Sequence, residues 1–192
     1  MKRLFECFLL SLFLQAAFAQ TGTPSARLFK PFKVDISAGY ASPQNSAPGA
    51  SFSGGGLFAI EPKWAVIDPL AIGLRVEAAI TAHLYDIGSN PDNSSGNANL
   101  SYIATLDYYF TNTKFRPFIG AGAGIYTTAA LDSNSVNSDA SSIPGTSQFG
   151  SMIRAGFELG HLRLAAEYNF VANNASYLGL KLGLCIGGGR RK

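Results

Sequence analysis

The side chains that could perform acid–base or metal chemistry are few and scattered. The chain of 192 residues has two histidines, His83 and His161, and beyond its N-terminal segment one cysteine, Cys185. The strand pattern described below places the two histidines at opposite ends of the fold, whereas metal ligands must converge on one point. We therefore expect no metal site, and we interpret the cysteine as a small packing residue.

Carboxylates are the second source of possible chemistry. Two carboxylates can act as general acid and general base when they are held close to a substrate. Here each has basic residues nearby in the pattern, which favours structural ion pairs over catalysis. The carboxylates concerned are Glu61, Glu77, Asp107, Glu158 and Glu167. We accordingly assign no catalytic residue and no cofactor.

Three glycines, Gly120, Gly122 and Gly124, form a G-x-G-x-G pattern. A phosphate-binding loop needs a different glycine spacing followed by a helix, and the sequence provides neither. We interpret the three as inward-facing positions that leave room for large side chains inside a narrow β-barrel.

The element that would position these groups is a long strand at residues 70–83. Apolar residues occupy every second position from Leu70 to Ala82, and Arg75 and Glu77 share the opposite face. A period of two predicts a strand with two unlike faces. The stretch is longer than the usual strand of about 5–6 residues and suits a tilted strand of about 9–11 residues that crosses a bilayer.

Seven other stretches alternate in the same way. The predicted strands are residues 32–40, 55–61, 70–83, 99–110, 114–128, 148–159, 162–170 and 176–186. Long polar loops at residues 41–53, 85–97 and 129–147 alternate with short turns at residues 62–69, 111–113 and 160–161. An even strand number with this alternation predicts an all-β fold, an eight-stranded antiparallel up-and-down transmembrane β-barrel. Aromatic residues near the strand ends would form its two interfacial girdles.

Charged residues within or beside these strands all fall on the face opposite the apolar one. A basic residue at the lipid midplane costs about 2–4 kcal/mol, which explains their absence from the other face. Inside a barrel they should pair with one another, because an unpaired buried charge is heavily penalised. The network predicted to fill the interior and prevent an open channel consists of Lys33, Asp35, Glu61, Arg75, Glu77, Asp107, Arg116, Arg154, Glu158, Arg163, Glu167 and Lys181.

The first 19 residues are typical of a secretory signal peptide. Lys2 and Arg3 precede an apolar stretch, and Ala17-Phe18-Ala19 forms a small-x-small cleavage site; an uncleaved helical anchor is the alternative. We divide the chain into this signal peptide, a loose N-terminal lead (20–31), the barrel (32–186) and a basic tail (187–192), with both termini in the periplasm. The formal net charge of +3 is too small to indicate nucleic-acid binding.

Four stretches carry a resemblance to a known group: residues 33–40, 55–64, 114–126 and 177–192. Through them the sequence resembles small bacterial outer-membrane β-barrel proteins of the OmpX and OmpW type, in particular the "outer membrane protein beta-barrel domain" proteins of Bacteroidetes. The resemblance implies a monomer in a Gram-negative outer membrane, in contact with lipid, lipopolysaccharide and the assembly machinery. Many such barrels end on an aromatic residue that this machinery reads, whereas here the last predicted strand ends at Ile186.

The sequence leaves more than one function open. The polar loops favour a structural or surface-interaction role with an unidentified ligand, and the alternative is a narrow porin-like channel or a conduit for small molecules. Some eight-stranded barrels are lipid A deacylases or acyltransferases with a Ser/His pair on the bilayer face. His83 points inward by strand parity and no matching motif is visible, so we expect no enzyme.

Overall fold

The computed structural model describes residues 28–44, 50–85, 95–132, 145–172 and 175–190; the predicted signal peptide lies outside these ranges. The strands are β1 Phe32–Pro43, β2 Ala50–Ile67, β3 Leu70–Tyr85, β4 Ser95–Tyr109, β5 Phe115–Asp132, β6 Thr146–Leu159, β7 Leu162–Phe170 and β8 Tyr177–Gly187. Each pairs antiparallel with its neighbours in the chain, and β1 pairs with β8 to close the barrel. The predicted eight-stranded up-and-down barrel is confirmed. Among the described residues, no helix has the length and apolar character needed to span a membrane.

Two ends of the barrel are distinguished by their connections. The turns at residues 68–69, 110–114 and 160–161 lie at one end, with the start of β1 and the end of β8; we call this the turn end. The opposite end, at which the connections 44–49, 86–94, 133–145 and 171–176 leave the barrel, is called the loop end.

The predicted turn at residues 62–69 is wrong except for Asp68 and Pro69. Strand β2 continues through Pro62 and Trp64 to Ile67. Pro62 has no amide hydrogen, and a proline inside an alternating run normally argues against a strand. Here Val34 pairs with Pro62 on one side, and on the other the ladder to β3 resumes at Lys63 and Gly73. A single interruption is therefore tolerated without ending the strand.

The strands also extend farther into the predicted loops than their composition suggests. Residues 50–53, 95–97 and 129–132 belong to strands, and Ser95 pairs with Asp132. Ser, Asn and Gly are poor strand formers in isolation. They are held in strands here because the neighbouring strand supplies a continuous ladder of hydrogen bonds.

Side chains alternate between the two faces along every strand. On β8 the alternation of exposed and buried positions is unbroken from Tyr177 to Ile186, and the outward Leu182 is 59% exposed. Aromatic pairs stand on the outer surface near the turn end, with ring centroids 6.4 Å apart for Phe32 and Trp64 and 5.4 Å apart for Phe115 and Phe157. Near the loop end, Tyr168 and Phe170 lie 4.6 Å apart. An apolar belt between two aromatic girdles is the outer surface expected of a membrane barrel.

Two apolar clusters pack inside the described part of the barrel. Towards the loop end, a buried apolar cluster consists of Ala41, Leu57, Ala79, Ile103, Tyr126, Met152, Val171 and Tyr177. A second cluster, towards the turn end, consists of Ala71, Tyr109, Phe118 and Ala165. The space between and around these clusters holds the charged residues, which form the candidate site.

Candidate functional site

The structure places the whole predicted interior set on the inward face. The twelve residues are at most 9% exposed: Lys33, Asp35, Glu61, Arg75, Glu77, Asp107, Arg116, Arg154, Glu158, Arg163, Glu167 and Lys181. Lys63 is a further buried cation, 2% exposed, which the sequence reasoning missed because it fell in the wrongly predicted turn. Continuing the period of two from Glu61 would have identified it.

Asp107 is the centre of the network nearest the turn end. Its Oδ1 accepts a hydrogen bond from Arg154 Nε at 2.7 Å, and its Oδ2 accepts bonds from Lys63 Nζ at 2.7 Å and Arg163 Nη2 at 2.9 Å. Strands β2, β4, β6 and β7 each contribute one of these four residues. A single carboxylate thus joins three cations that come from different strands around the barrel.

Glu61 holds the same arginine from the other side. Arg154 Nη1 and Nη2 donate to the two carboxylate oxygens of Glu61 at 2.7 and 2.6 Å, and Thr105 Oγ1 donates at 2.5 Å. Two parallel bonds from one guanidinium to one carboxylate form the strongest geometry available to an ion pair. Arg154 is therefore fixed between two carboxylates.

Two more carboxylates complete this group, which we call the turn-end network. Glu158 pairs with Lys33 and Arg163 and accepts a bond from the Tyr109 hydroxyl at 2.7 Å. Asp35 lies 2.6 Å from Lys63 Nζ. Among the described residues, the network contains four cations and four carboxylates, namely Lys33, Lys63, Arg154 and Arg163 with Asp35, Glu61, Asp107 and Glu158.

A second group, the mid-barrel network, lies farther from the turn end. Lys181 Nζ is 2.7 Å from a carboxylate oxygen of both Glu77 and Glu167, and Arg75 Nη1 is 2.5 Å from Glu167. Neutral groups complete it: Tyr177 donates to Glu77 at 2.5 Å, and Tyr126 donates to Asn169 at 2.9 Å. The two cations and two carboxylates of this described group balance each other.

The sequence predicts that Arg116 pairs with an interior carboxylate, and the structure shows a different environment for this residue. It lies at the turn end with its guanidinium carbon 4.2 Å from the ring centroids of both Phe29 and Tyr109, and it donates to the Asp68 carbonyl at 2.7 Å. No ion pair of Arg116 is found in the described part of the chain. Its cross-strand neighbour Glu158 is already held by Lys33 and Arg163, which leaves the arginine to stack on aromatic rings.

Residues 28–31 close the turn end. The Asp68 carboxylate accepts hydrogen bonds from the backbone amides of Leu28 at 3.0 Å and Phe29 at 3.4 Å. The Lys30 amide donates to the Gly189 carbonyl at 2.9 Å, and Phe29 forms a β-bridge with Arg190. This part of the predicted loose lead is therefore fixed by backbone bonds, with the buried Phe29 ring beneath Arg116.

Each network contains equal numbers of cations and carboxylates and is therefore neutral. Lys63 belongs to the turn-end network, and Arg116 belongs to neither network. Removing an ion from water costs several kcal/mol, which only close pairing with further hydrogen bonds can offset. The cavity between the networks, lined by Asp35, Ser37, Glu61, Arg154, Arg163, Ala165 and Lys181, has a volume of about 10 Å³. That is room for roughly one water molecule, so the space between the two networks is too small for a larger solute.

The histidines and the outward-facing serine that could catalyse ester hydrolysis are not brought together in the described structure. His161 lies in the turn between β6 and β7, with Nδ1 2.9 Å from the Cys185 carbonyl oxygen. Ser151 is an outward-facing hydroxyl on β6, and its cross-strand partners are Ala123 and Phe170. The backbone of His83 belongs to β3, but its side chain lies outside the described residues. Within the described surface, the Ser151 hydroxyl therefore has no imidazole as a cross-strand neighbour.

Two carboxylates and the thiol of Cys185 lie close enough together to be considered as a metal site. Ligand atoms of Asp35, Glu158 and Cys185 lie within 4.8 Å of one another. The two carboxylates are already paired with Lys63 and with Lys33, respectively. Because these ammonium groups occupy the position that a metal cation would need, we assign no metal to the group.

Gly120 provides a direct test of the turn-end network. A Cβ at this position would lie 2.2 Å from Asp107 Oδ1 and 3.1 Å from Arg154 Nε. We expect Gly120→Ala to displace this ion pair and to lower the free energy of unfolding by about 1–3 kcal/mol, the usual cost of overpacking. Urea unfolding of the refolded barrel would measure it. The matched control is Gly56→Ala, whose Cβ would have no neighbour within 4 Å; equal losses in the two variants would contradict the assignment.

The fold and the filled, charge-paired interior define a small eight-stranded outer-membrane β-barrel, as the sequence predicted. Residues 55–174 match the family model described as "Lipid A 3-O-deacylase (PagL)". The chain belongs to this family.

One solved structure shares this fold at a TM-score above 0.5. Neisserial surface protein A is similar with a TM-score of 0.58 and 17% identity, over 83% of this chain and 98% of that one. OprG from Pseudomonas aeruginosa gives a TM-score of 0.47 with 14% identity, over 84% and 95% of the two chains. The outer membrane enzyme PagL gives 0.40 with 18% identity, over 80% and 98%. No protein with a curated description matches the chain.

Proposed function

We propose that this chain is a non-enzymatic barrel of the outer membrane that acts as a rigid support for the connections at its loop end, with a structural or surface-interaction role. The observation that supports the proposal is the filled interior. Two neutral ion networks lie among apolar clusters, and the cavity between them holds about 10 Å³. Such a barrel has little space for a solute. It does hold both ends of each loop-end connection at fixed positions.

The orientation that goes with this proposal places the turn end in the periplasm and the loop end at the cell surface. The loop-end connections have six to thirteen residues and the turn-end connections two to five, and in outer-membrane barrels long loops face outward and short turns face the periplasm. The partners would then be outer-membrane lipid and lipopolysaccharide around the belt, the assembly machinery during insertion, and a surface ligand at the loops.

Deacylation of lipid A is the second candidate function, and the family match over residues 55–174 favours it. Ester hydrolysis requires a nucleophile within reach of a general base. On the described outer surface, Ser151 lies between Ala123 and Phe170, and His161 is at the turn end, bonded to a backbone carbonyl. These positions favour the non-enzymatic role.

Mass spectrometry of lipid A separates the two candidates. The chain is expressed in a Gram-negative host whose lipid A carries a 3-O-linked acyl chain, with the enzyme PagL as the positive control. We expect the lipid A spectrum to match that of the empty vector. Our proposal would be contradicted if the wild type removes the 3-O acyl chain and if His83→Ala or His161→Ala abolishes this deacylation. That result would establish the chain as an enzyme.

The surface role has its own test. Residues 134–143, within the longest predicted loop, are replaced by a two-residue turn, and adhesion of expressing cells to surfaces and to other cells is compared with the wild type. We expect the shortened barrel to fold and adhesion to fall. Unchanged adhesion together with altered permeability to a small solute would favour the conduit instead.

A further inference from the structure

The exposed lysine and arginine residues of the described chain all lie at the turn end. The loop-end segments 41–53, 85–97 and 129–147 contain four acidic residues, Asp86, Asp92, Asp132 and Asp139, and neither lysine nor arginine. At the turn end the described chain exposes Lys30, Lys114 and Arg190, and the sequence continues with Arg191 and Lys192. The loop-end segments are therefore acidic in sequence, whereas the turn end exposes three cations.

The Asp68 carboxylate also lies at the turn end, but it is hydrogen-bonded to the backbone amides of Leu28 and Phe29 and not to the exposed cations. Within the part of the chain that the structure describes, neither Lys30, Lys114 nor Arg190 forms an ion pair. Every other described lysine or arginine is buried, so these three set the charge of this rim.

The cations also stand next to the aromatic girdle. Lys30 precedes Phe32 by two residues, and Lys114 directly precedes Phe115. Phe32 packs against Trp64 and Phe115 against Phe157 on the outer surface. Aromatic side chains mark the level of lipid headgroups, and basic side chains just beyond them reach the phosphate groups.

From this juxtaposition we infer that the turn-end rim, defined by Lys30, Lys114 and Arg190, binds the headgroups of anionic phospholipids in the adjacent leaflet. Each basic residue close to an anionic membrane surface strengthens its association with that surface by about fivefold. Lys30 and Arg190 lie together, since Phe29 and Arg190 form a bridge. Lys114 follows β4 and lies on the far side of the barrel from the β1–β8 seam. The rim thus has two separate positions for anionic lipid.

Trp64 allows one of these positions to be examined alone. It is the single tryptophan of the chain, it faces lipid beside Phe32, and Ala65 next to it donates to the Pro31 carbonyl at 2.7 Å. The refolded protein is placed in phosphatidylcholine vesicles that contain a fixed fraction of brominated phosphatidylglycerol or brominated phosphatidylcholine. Quenching of Trp64 fluorescence then reports which lipid is adjacent.

We expect brominated phosphatidylglycerol to quench Trp64 with a severalfold higher apparent association than brominated phosphatidylcholine, and we expect the difference to fall as salt is added. Lys30→Gln with Arg190→Gln should remove the preference. Lys114→Gln, on the opposite side, should leave it unchanged. The salt titration on the wild type tests the same point without relying on a variant.

Two results would overturn the inference. Equal quenching by the two brominated lipids in the wild type would show that the rim does not select anionic headgroups. A preference that persists in the Lys30→Gln, Arg190→Gln variant would show that other groups provide it. If quenching is equal but the wild type sediments with murein sacculi in a manner that depends on Lys30 and Arg190, the rim binds an acidic polymer and the lipid assignment is wrong.

Discussion

Replacing Asp107 by alanine is expected to lower the free energy of unfolding of the barrel by about 3–5 kcal/mol, the cost of leaving buried charge uncompensated. Asp107 is 1% exposed and accepts bonds from Lys63, Arg154 and Arg163. In the variant, three buried cations would share the carboxylates that remain. Urea unfolding of the refolded protein, followed by Trp64 fluorescence, provides the measurement.

A compensating variant separates charge balance from packing at this position. Asp107→Asn combined with Lys63→Met removes one anion and one cation from the turn-end network, and we expect it to be more stable than Asp107→Asn alone. Lys114→Gln, which changes an exposed residue, is the control and should have wild-type stability. Wild-type stability of Asp107→Ala would show that the network is not the main determinant of the interior.

Replacing Leu182 by arginine is the second change with a large expected effect. Leu182 faces outward near the middle of β8 and is 59% exposed. A basic side chain at the bilayer midplane costs about 2–4 kcal/mol, so the fraction of protein that refolds into vesicles should fall markedly. The heat-dependent shift in gel mobility of the folded barrel would measure that fraction.

The matched control carries the same side chain outside the lipid belt. Asn112 is exposed in the turn between β4 and β5, and Asn112→Arg should refold as efficiently as the wild type. If the two arginine variants refold equally well, the outer surface of β8 does not lie in lipid, and the assignment of faces is wrong.

Strand number, strand order and the faces of the strands could be predicted because alternation is a local property of the sequence. Strand β7 was predicted with its observed bounds, since Gly160 and His161 mark its start and the period of two is regular up to Phe170. The strand ends near the loops could not be predicted. Ser95 and Asn97 have weak strand propensity, and their pairing with Asp132 and Ala130 depends on the neighbouring strand.

The pairing of the interior charges was beyond sequence reasoning for a different reason. Parity shows which face a charge occupies, whereas its partner depends on register and on the stagger of the closed barrel. Arg116 is opposite Glu158 in the β5–β6 ladder and still stacks on Phe29 and Tyr109 instead. Phe29, on which Arg116 stacks, lies in the N-terminal lead. The polar composition of that lead predicted a loose segment.

Electrical recording from planar bilayers tests the closed interior most directly. Purified barrel refolded from denaturant is added to the bilayer, and a mock preparation of the same detergent serves as the control. Because neutral ion networks and apolar clusters fill the interior, we predict a current that does not differ from the mock preparation. Stable unitary conductance steps that increase in number with the amount of folded protein would contradict the closed barrel and favour the channel.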